Sequence, residues 1–403
     1  MRRWIVMALL LSIVLTMSGC VEEENSAHIS PAITYDWMSG ECPIPTMRTG
    51  LLTQGVFTDS NGFECTNDGM YFMLSTEQGS ILCYCDHGSD TVVKLCSRPD
   101  CTHSGRDCNA YFNSGRGICY YNGYLYTVQK MENDSRNYEL IRMNLDGTER
   151  ISVVDTREVS QGYGGTMIHM IWNGIFNIGL LRLGDGGESI VDFFYYRLDG
   201  SMEQLQPSNF GIPYGNDGEN FLLSSTTENG KESYSLWNPE TQEISYLTEK
   251  IGSGYYGAED AYYILDGVIY HYVYNTNEKE SLFDTGLDGN KALYCYPDCL
   301  VVSDTIPWDE YMAGKVLDTI TLHFYNWDFE ILGQVQLDYP RPGHFYQVIC
   351  GETPERIILT DNSSLSPRYY IEKADFGTGN IQIHEFELPD GLIDEDAYLD
   401  PWE

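Results

Sequence analysis

Four residues in one short stretch have the types and spacing to hold a soft metal. Cys96, Cys101, His103 and Cys108 read C-x4-C-x-H-x4-C within LCSRPDCTHSGRDCNAYF, residues 95–112. Three thiolates and an imidazole form an accepted tetrahedral zinc environment, closed and structural, with no position left for water. A loop without regular structure would gain order from such an ion. The same residues support a second chemistry, a disulfide with one thiol left over, which an oxidising compartment permits. The C-x2-C knuckle of many zinc sites is absent, and the turn at Pro99-Asp100 suits either outcome. The expectation is a staple of one kind or the other, with a disulfide preferred to zinc. A catalytic thiol ranks last, because nothing marks a positioned His with an orienting partner.

The remaining cysteines are less pointed. Cys295 and Cys299 enclose Tyr-Pro-Asp, a span that a second disulfide could bridge around the proline turn. Cys83 and Cys85 alternate along one apparent strand and so face one side. Cys65, Cys119 and Cys350 read as buried strand residues. No nucleophile elbow, Walker loop, dinucleotide fingerprint, H-E-x-x-H helix or EF-hand loop occurs. His169, His271, His323 and His384 fall within apparent strands and read as ordinary strand histidines. Tyr163, Tyr255 and Tyr256, each close to glycine, are the candidates for exposed ligand-contact aromatics; the other tyrosines read as core.

Arg2 and Arg3 precede an apolar run, Trp4 to Met17, that ends in Ser18-Gly19-Cys20. The run is too short and too sharply ended for a stable membrane span. Small residues directly before Cys20 resemble the lipobox of bacterial lipoproteins. That resemblance implies a signal peptide over 1–19, cleavage before Cys20 and lipidation of its sulfur; each buried CH₂ would add about 0.8 kcal/mol of anchoring. Residues 20–50 read as a tether and 391–403 as an acidic tail. The chain carries 60 Asp and Glu against 23 Lys and Arg, a formal net charge of −37. Such a surface repels nucleic acid and anionic headgroups, so no nucleic-acid partner is expected.

The elements that must position these residues are strands. The aromatic fraction is 13%, with 31 Tyr, and helical periodicity is nearly absent outside residues 308–317. Seven segments show a strand, a tight turn and a second strand, and three share the turns Leu145-Asp146-Gly147, Leu198-Asp199-Gly200 and Leu287-Asp288-Gly289. Asp-Gly between alternating apolar residues is a strong hairpin signal. A second Asn-Gly or Asp-Gly hairpin, as in CYYNGYLYTV and AYYILDGVIYHYV, precedes most of them. Each unit therefore supplies four antiparallel strands. Recurrence at propeller-blade spacing predicts an all-β fold, a single β-propeller over 51–390, with seven four-stranded blades as the first choice, six or eight as the other counts and a pair of β-sandwiches as the competing architecture. Residues 95–112 are expected to connect the outer strand of the first blade to the inner strand of the second, on a loop-bearing face.

The lipobox, the tyrosine-rich units with NLDGT-type turns and the cysteine insert together resemble a family of Gram-positive bacterial lipoproteins with a low-density-lipoprotein-receptor-like propeller. No unit contains the Tyr-Trp-Thr-Asp signature of the receptor type, so the resemblance implies an architecture and an address but no specific activity. The address is the outer face of the cytoplasmic membrane. The expected function is a monomeric, lipid-anchored binding scaffold for an extracellular glycan, peptide or envelope protein. The alternatives are a propeller hydrolase or lyase acting through paired carboxylates, and an extracytoplasmic sensor of a membrane signalling system.

Overall fold

The computed structural model describes residues from Phe63 to Asp390, with breaks of which the longest are 184–188, 199–203, 207–211, 227–230, 311–316, 339–348 and 361–366. The signal, Cys20, the tether, the acidic tail and most of the helical segment expected at 308–317 lie outside the described residues. None of the helices among the described residues is long and apolar enough to cross a membrane.

Seven antiparallel sheets follow one another along the chain in a β-propeller arrangement, each built from consecutive strands in simple up-and-down order. The first contains β1 (Phe63–Cys65), β2 (Gly69–Thr76), β3 (Gly79–Asp86), β4 (Val93–Lys94) and β5 (Tyr111–Phe112). The second contains β6 (Arg116–Tyr121), β7 (Tyr124–Met131), β8 (Asp134–Met143) and β9 (Ile151–Asp155). The others span Gly165–Gln206, Ile212–Glu249, Ser253–Asp284, Lys291–Asp338 and Ile349–Glu385. Six of the sheets have four strands and the first has five. The regular four-stranded blades thus number six rather than the expected seven, and the irregular one is the sheet that carries the cysteine insert.

Turn chemistry accounts for the hairpins. Asn122 (φ 49°) and Gly123 (φ 81°) join β6 to β7, and Asp266 (φ 51°) and Gly267 (φ 77°) join the next-to-inner pair of the fifth sheet. Two successive positive φ values match the twist of the flanking strands. Leu145-Asp146-Gly147 closes β8 to β9 as expected, with the Gly147 N–H donating to the Asn144 carbonyl at 2.9 Å. The similar Leu287-Asp288-Gly289 does something else. It joins Glu278–Asp284, the last strand of one sheet, to Lys291–Cys295, the first strand of the next. A turn sequence reports local backbone geometry and not which strands it joins.

The chain divides into two compact units, one holding the sheets between residues 63 and 206 and the other those between 212 and 385. In the first, Tyr71, Met73, Leu82 and Phe112 pack with Ile118, Leu125, Ile141 and Met143 of the second sheet. The opposite face of that second sheet offers Tyr126, Val128 and Leu140 to Ile168, Phe176 and Ile178 of the third. The second unit repeats the plan: Leu222 and Tyr234 meet Tyr256 and Tyr263, while Tyr255, Ile264 and Ile269 meet Leu293, Leu300 and Val302. Successive side chains on a strand point to opposite faces, so each inner strand feeds two cores. That is why these strands are apolar nearly throughout, with Arg356–Thr360 buried at every position.

Candidate metal centre

The fifth strand of the first sheet locates the insert. β3 pairs with β4 through Cys83–Lys94 and Tyr84–Val93, and with β5 through Ser80–Phe112 and Ile81–Tyr111. Both short strands lie on the same edge of β3. Between them the Leu95 N–H donates to the Leu82 carbonyl at 2.9 Å and the Leu82 N–H to the Ala110 carbonyl at 2.8 Å. β4 and β5 are therefore two halves of one outer strand, and residues 96–109 are an excursion from its middle. This corrects the expected position. The insert does not lead from one blade to the next, because the chain first returns to β3 and completes the outer strand. The sequence hid this because each half-strand is two residues long, too short to show alternation.

The excursion brings its four candidate ligands together. The Cys96, Cys101 and Cys108 sulfurs and a His103 ring nitrogen all lie within 4.8 Å of one another. The zinc–sulfur bond length of roughly 2.3 Å implies about 3.8 Å between sulfurs on a tetrahedron, so a contraction of about 1 Å at most would close the set. The expected disulfide is not formed: Cys96, Cys101 and Cys108 are all free thiols. His103 Nδ1 stands 3.3 Å from Cys108 Sγ, and the residue takes a left-handed backbone (φ 54°) to place it. Non-glycine residues rarely adopt this region, and histidine is among those that tolerate it.

The surroundings favour charged sulfur at Cys96, and hydrogen-bond donors meet the other two sulfurs. The Arg98 guanidinium donates to Cys101 Sγ at 3.3 Å and also to the Asp107 carbonyl. The Ala110 N–H donates to Cys108 Sγ at 3.3 Å. Burial raises the Cys96 thiol, but hydrogen bonds from the Arg98 backbone and side chain outweigh it and bring the group down to about 7. Burial pushes the Cys108 thiol up to about 11. Burial, with Lys94 and Arg98 nearby, lowers His103, which keeps its imidazole neutral and able to ligate. Such a donor set suits zinc or another soft ion. A Cys₃His site with Zn²⁺ carries three negative charges against two positive, and Arg98 balances the remainder.

The return limb is tied to the second blade by Arg150, which follows the β8–β9 turn. Its guanidinium donates to the Tyr111 carbonyl at 2.6 Å and to the Asn109 carbonyl, and lies 3.8 Å from the centre of the Phe112 ring. Gly147 in the same turn (φ 76°) permits close approach, since a Cβ there would come 2.7 Å from the Asn109 carbonyl oxygen. Nothing in the local pattern singles out Arg150; one arginine after an Asp-Gly turn looks like any surface cation.

The other expected site residues disperse. Tyr255 and Tyr256 are 6% and 1% exposed, in the strand Ser253–Tyr256, so neither is a surface ligand contact. Their glycine neighbours suggest a loop, but Gly252 and Gly254 are there because adjacent backbone leaves no room for a side chain. The Tyr256 hydroxyl accepts from the Ile251 and Gly252 N–H groups and donates to the Gly252 carbonyl. Tyr163 is half-buried against the second core of its unit. Cys295 and Cys299 are not bonded to each other. Cys295 packs with Leu293 and Leu300 on one face of its sheet, and Cys299 with Tyr294 and Val301 on the other, so a disulfide would have to cross the sheet. Cys83 and Cys85 are buried as expected, whereas Cys65 and Cys119 are only half-buried. His271, His323 and His384 lie in strands; His271 Nε2 meets Asp260 Oδ2 at 2.7 Å and stacks on Tyr262.

Two carboxyls were not foreseen. Burial raises Glu64 on β1 to about 8, against a lowering hydrogen bond from the Tyr120 backbone. Burial also raises Glu352 to about 7 despite its 2.5 Å pairing with Lys373 Nζ, which Asp298 also meets.

No protein-family model and no curated protein matches the chain. Solved structures do. TolB from Acinetobacter baumannii is 12% identical, with 68% of this chain and 65% of TolB covered and a TM-score of 0.34. The chain thus spans a little under two thirds of TolB's length. A puromycin-hydrolysing peptidase from Mycobacterium tuberculosis is 10% identical, covering 82% of this chain and 54% of its own, with a TM-score of 0.46. An ulvan lyase from a polysaccharide lyase family is 10% identical, covering 84% and 94%, with a TM-score of 0.41. At these values the likeness carries no activity over to this chain.

Proposed function

We propose that this protein is a lipid-anchored, extracytoplasmic β-propeller that binds an extracellular glycan, peptide or envelope protein, held on the outer face of the cytoplasmic membrane of a Gram-positive-type envelope. The observation that carries the reading is the placement of its reactive side chains. The Cys/His cluster, the densest such group among the described residues, sits on an excursion from an outer strand as a closed set with no coordination position for a substrate. Several carboxylates are committed to cross-strand ion pairs, among them Asp304 with Lys291 at 2.6 Å and Glu372 with Arg356 at 2.8 Å. A chain arranged in this way serves as a scaffold, with recognition left to the loops between strands. The lipobox supplies the anchor, and the acidic surface excludes nucleic acid while leaving neutral glycans and basic peptides as partners.

One observation favours the hydrolase or lyase alternative. Glu64 and Glu352 are both raised towards neutral pH, the range in which a carboxyl serves as a general acid. The test uses the purified mature chain, immobilised and exposed to a glycan array, defined peptidoglycan fragments and basic peptides, with turnover of the same ligands measured in parallel. Saturable retention without turnover is the expected result. Turnover that Glu64→Gln or Glu352→Gln abolishes, with folding intact, would replace the scaffold by an enzyme.

A further inference from the structure

We propose that Cys96, Cys101, His103 and Cys108 bind one Zn²⁺ ion, and that this ion clasps the two halves of the first blade's outer strand and seats the second half against the neighbouring blade. The inference does not depend on what the propeller binds.

Consider the excursion without a clasp. The chain leaves β3 after Leu95 and regains it at Ala110, having made a detour whose polar content gives no core of its own: Arg98, Asp100, Thr102 and Ser104 are all exposed. What holds it internally is a few single-turn hydrogen bonds, such as Cys101 N–H to Arg98 carbonyl at 3.3 Å and Cys108 N–H to Gly105 carbonyl at 2.9 Å, and the Arg98 side chain reaching the Asp107 carbonyl. Each half-strand pairs with β3 over only two residues. Two two-residue pairings cannot fix register by themselves, and a one-residue slip would turn Phe112, 1% exposed, from the core to the other face.

The four ligands lie where a clasp is required. Cys96 follows Leu95, the last residue bonded to β3 on the way out. Cys108 comes two residues before Ala110, the first bonded on the way back. Cys101 and His103 close the tip onto these two. One ion held by all four fixes both ends of the detour and therefore the register of both half-strands. It also fixes Asn109, whose carbonyl receives Arg150, so the second blade is tied to the first through a segment that the ion orders. Three thiols release their protons to solvent as they ligate, and His103 binds neutral. The Arg98 guanidinium and the Ala110 N–H then donate to metal-bound thiolates, the outer-sphere contacts that orient and stabilise such ligands. A disulfide could join only two of the three sulfurs and would leave the third, with His103 in its uncommon backbone conformation, without a role.

The test is made on the full chain purified under reducing conditions with no added metal. Elemental analysis is expected to give one zinc per chain. Alkylation of the native protein should spare Cys96, Cys101 and Cys108 until a chelator is added. Cobalt exchanged into the site should show tetrahedral d–d bands with thiolate charge transfer. Hydrogen exchange at residues 93–95 and 109–112 should accelerate on chelation, while Ile349–Glu385 stays protected. Cys101→Ser should lower zinc content, and because that variant could fail through misfolding, His103→Cys provides the control: a Cys₄ set should retain zinc. Absence of stoichiometric zinc, another metal in its place, or a disulfide among the three cysteines in reduced protein would overturn the assignment. Exchange at 109–112 that ignores chelation would overturn the clasp.

Discussion

Replacing Arg150 by alanine tests whether the outer strand of the first blade is secured from the second. Besides a 3.3 Å bond to the Gly147 carbonyl of its own turn, the side chain makes two charge-assisted hydrogen bonds to the first blade, to the Tyr111 and Asn109 carbonyls, and covers the Phe112 ring at 3.8 Å. Hydrogen bonds to charged groups contribute about 1.5–3 kcal/mol each, and a cation over a ring about 1 kcal/mol. The sum is roughly 4–7 kcal/mol. Contacts that share one side chain are not additive, and Arg150 is only partly buried, its guanidinium lowered to about 10 chiefly by desolvation. A loss of about 3 kcal/mol is therefore expected for Arg150→Ala. Arg150→Lys should recover less than half of it, since an ammonium can reach one carbonyl but cannot fork to two. Urea unfolding followed by tyrosine and tryptophan fluorescence gives the free energy, and hydrogen exchange shows whether the loss concentrates at residues 109–112. A change below about 0.5 kcal/mol, the range of an ordinary surface substitution, would mean that Arg150 is a bystander and that the two blades are held by their apolar faces alone.

Two further outcomes follow from burial. Glu64 titrates near 4.5 when unfolded and near 8 when folded, so the native state holds its proton through that window. The penalty for ionising it is absent below pH 4.5, grows as pH rises, and is complete above about 8. Its ceiling is about 5 kcal/mol, and Glu64→Gln should flatten the fall in unfolding free energy measured between pH 5 and 8.5; an unchanged slope refutes the assignment. Gly254→Ala would put a methyl group 2.5 Å from the Tyr263 Cα and against the Tyr262 carbonyl. Backbone cannot give way as a side-chain tip can, so a loss of about 3 kcal/mol is expected, read as a lower thermal midpoint. A neutral result would show that these strands sit farther apart than described.

The sequence alone determined the strand content and its order. Alternation and Asn-Gly or Asp-Gly turns are local signals, and Asn122-Gly123 and Asp266-Gly267 adopt the positive φ values that such turns require. It also determined the four members of the Cys/His group, because their spacing keeps them in one short segment whatever the fold. Tertiary structure decided the rest. Which strands a turn joins depends on pairing, so Leu287-Asp288-Gly289 proved a link between sheets. Whether a tyrosine beside glycine is exposed depends on what lies opposite, and at Tyr255 and Tyr256 it is a neighbouring strand. Cys295 and Cys299 are close in sequence yet on opposite faces, because Cys295 pairs with Leu300 across the hairpin and Cys299, one position before that partner, points to the other side. The insert's place within a split outer strand rests on pairings of two residues each with β3, and Arg150 reaches it from 39 and 41 positions away. Contacts at that separation leave no trace in local pattern; only the packing of one blade against the next creates them.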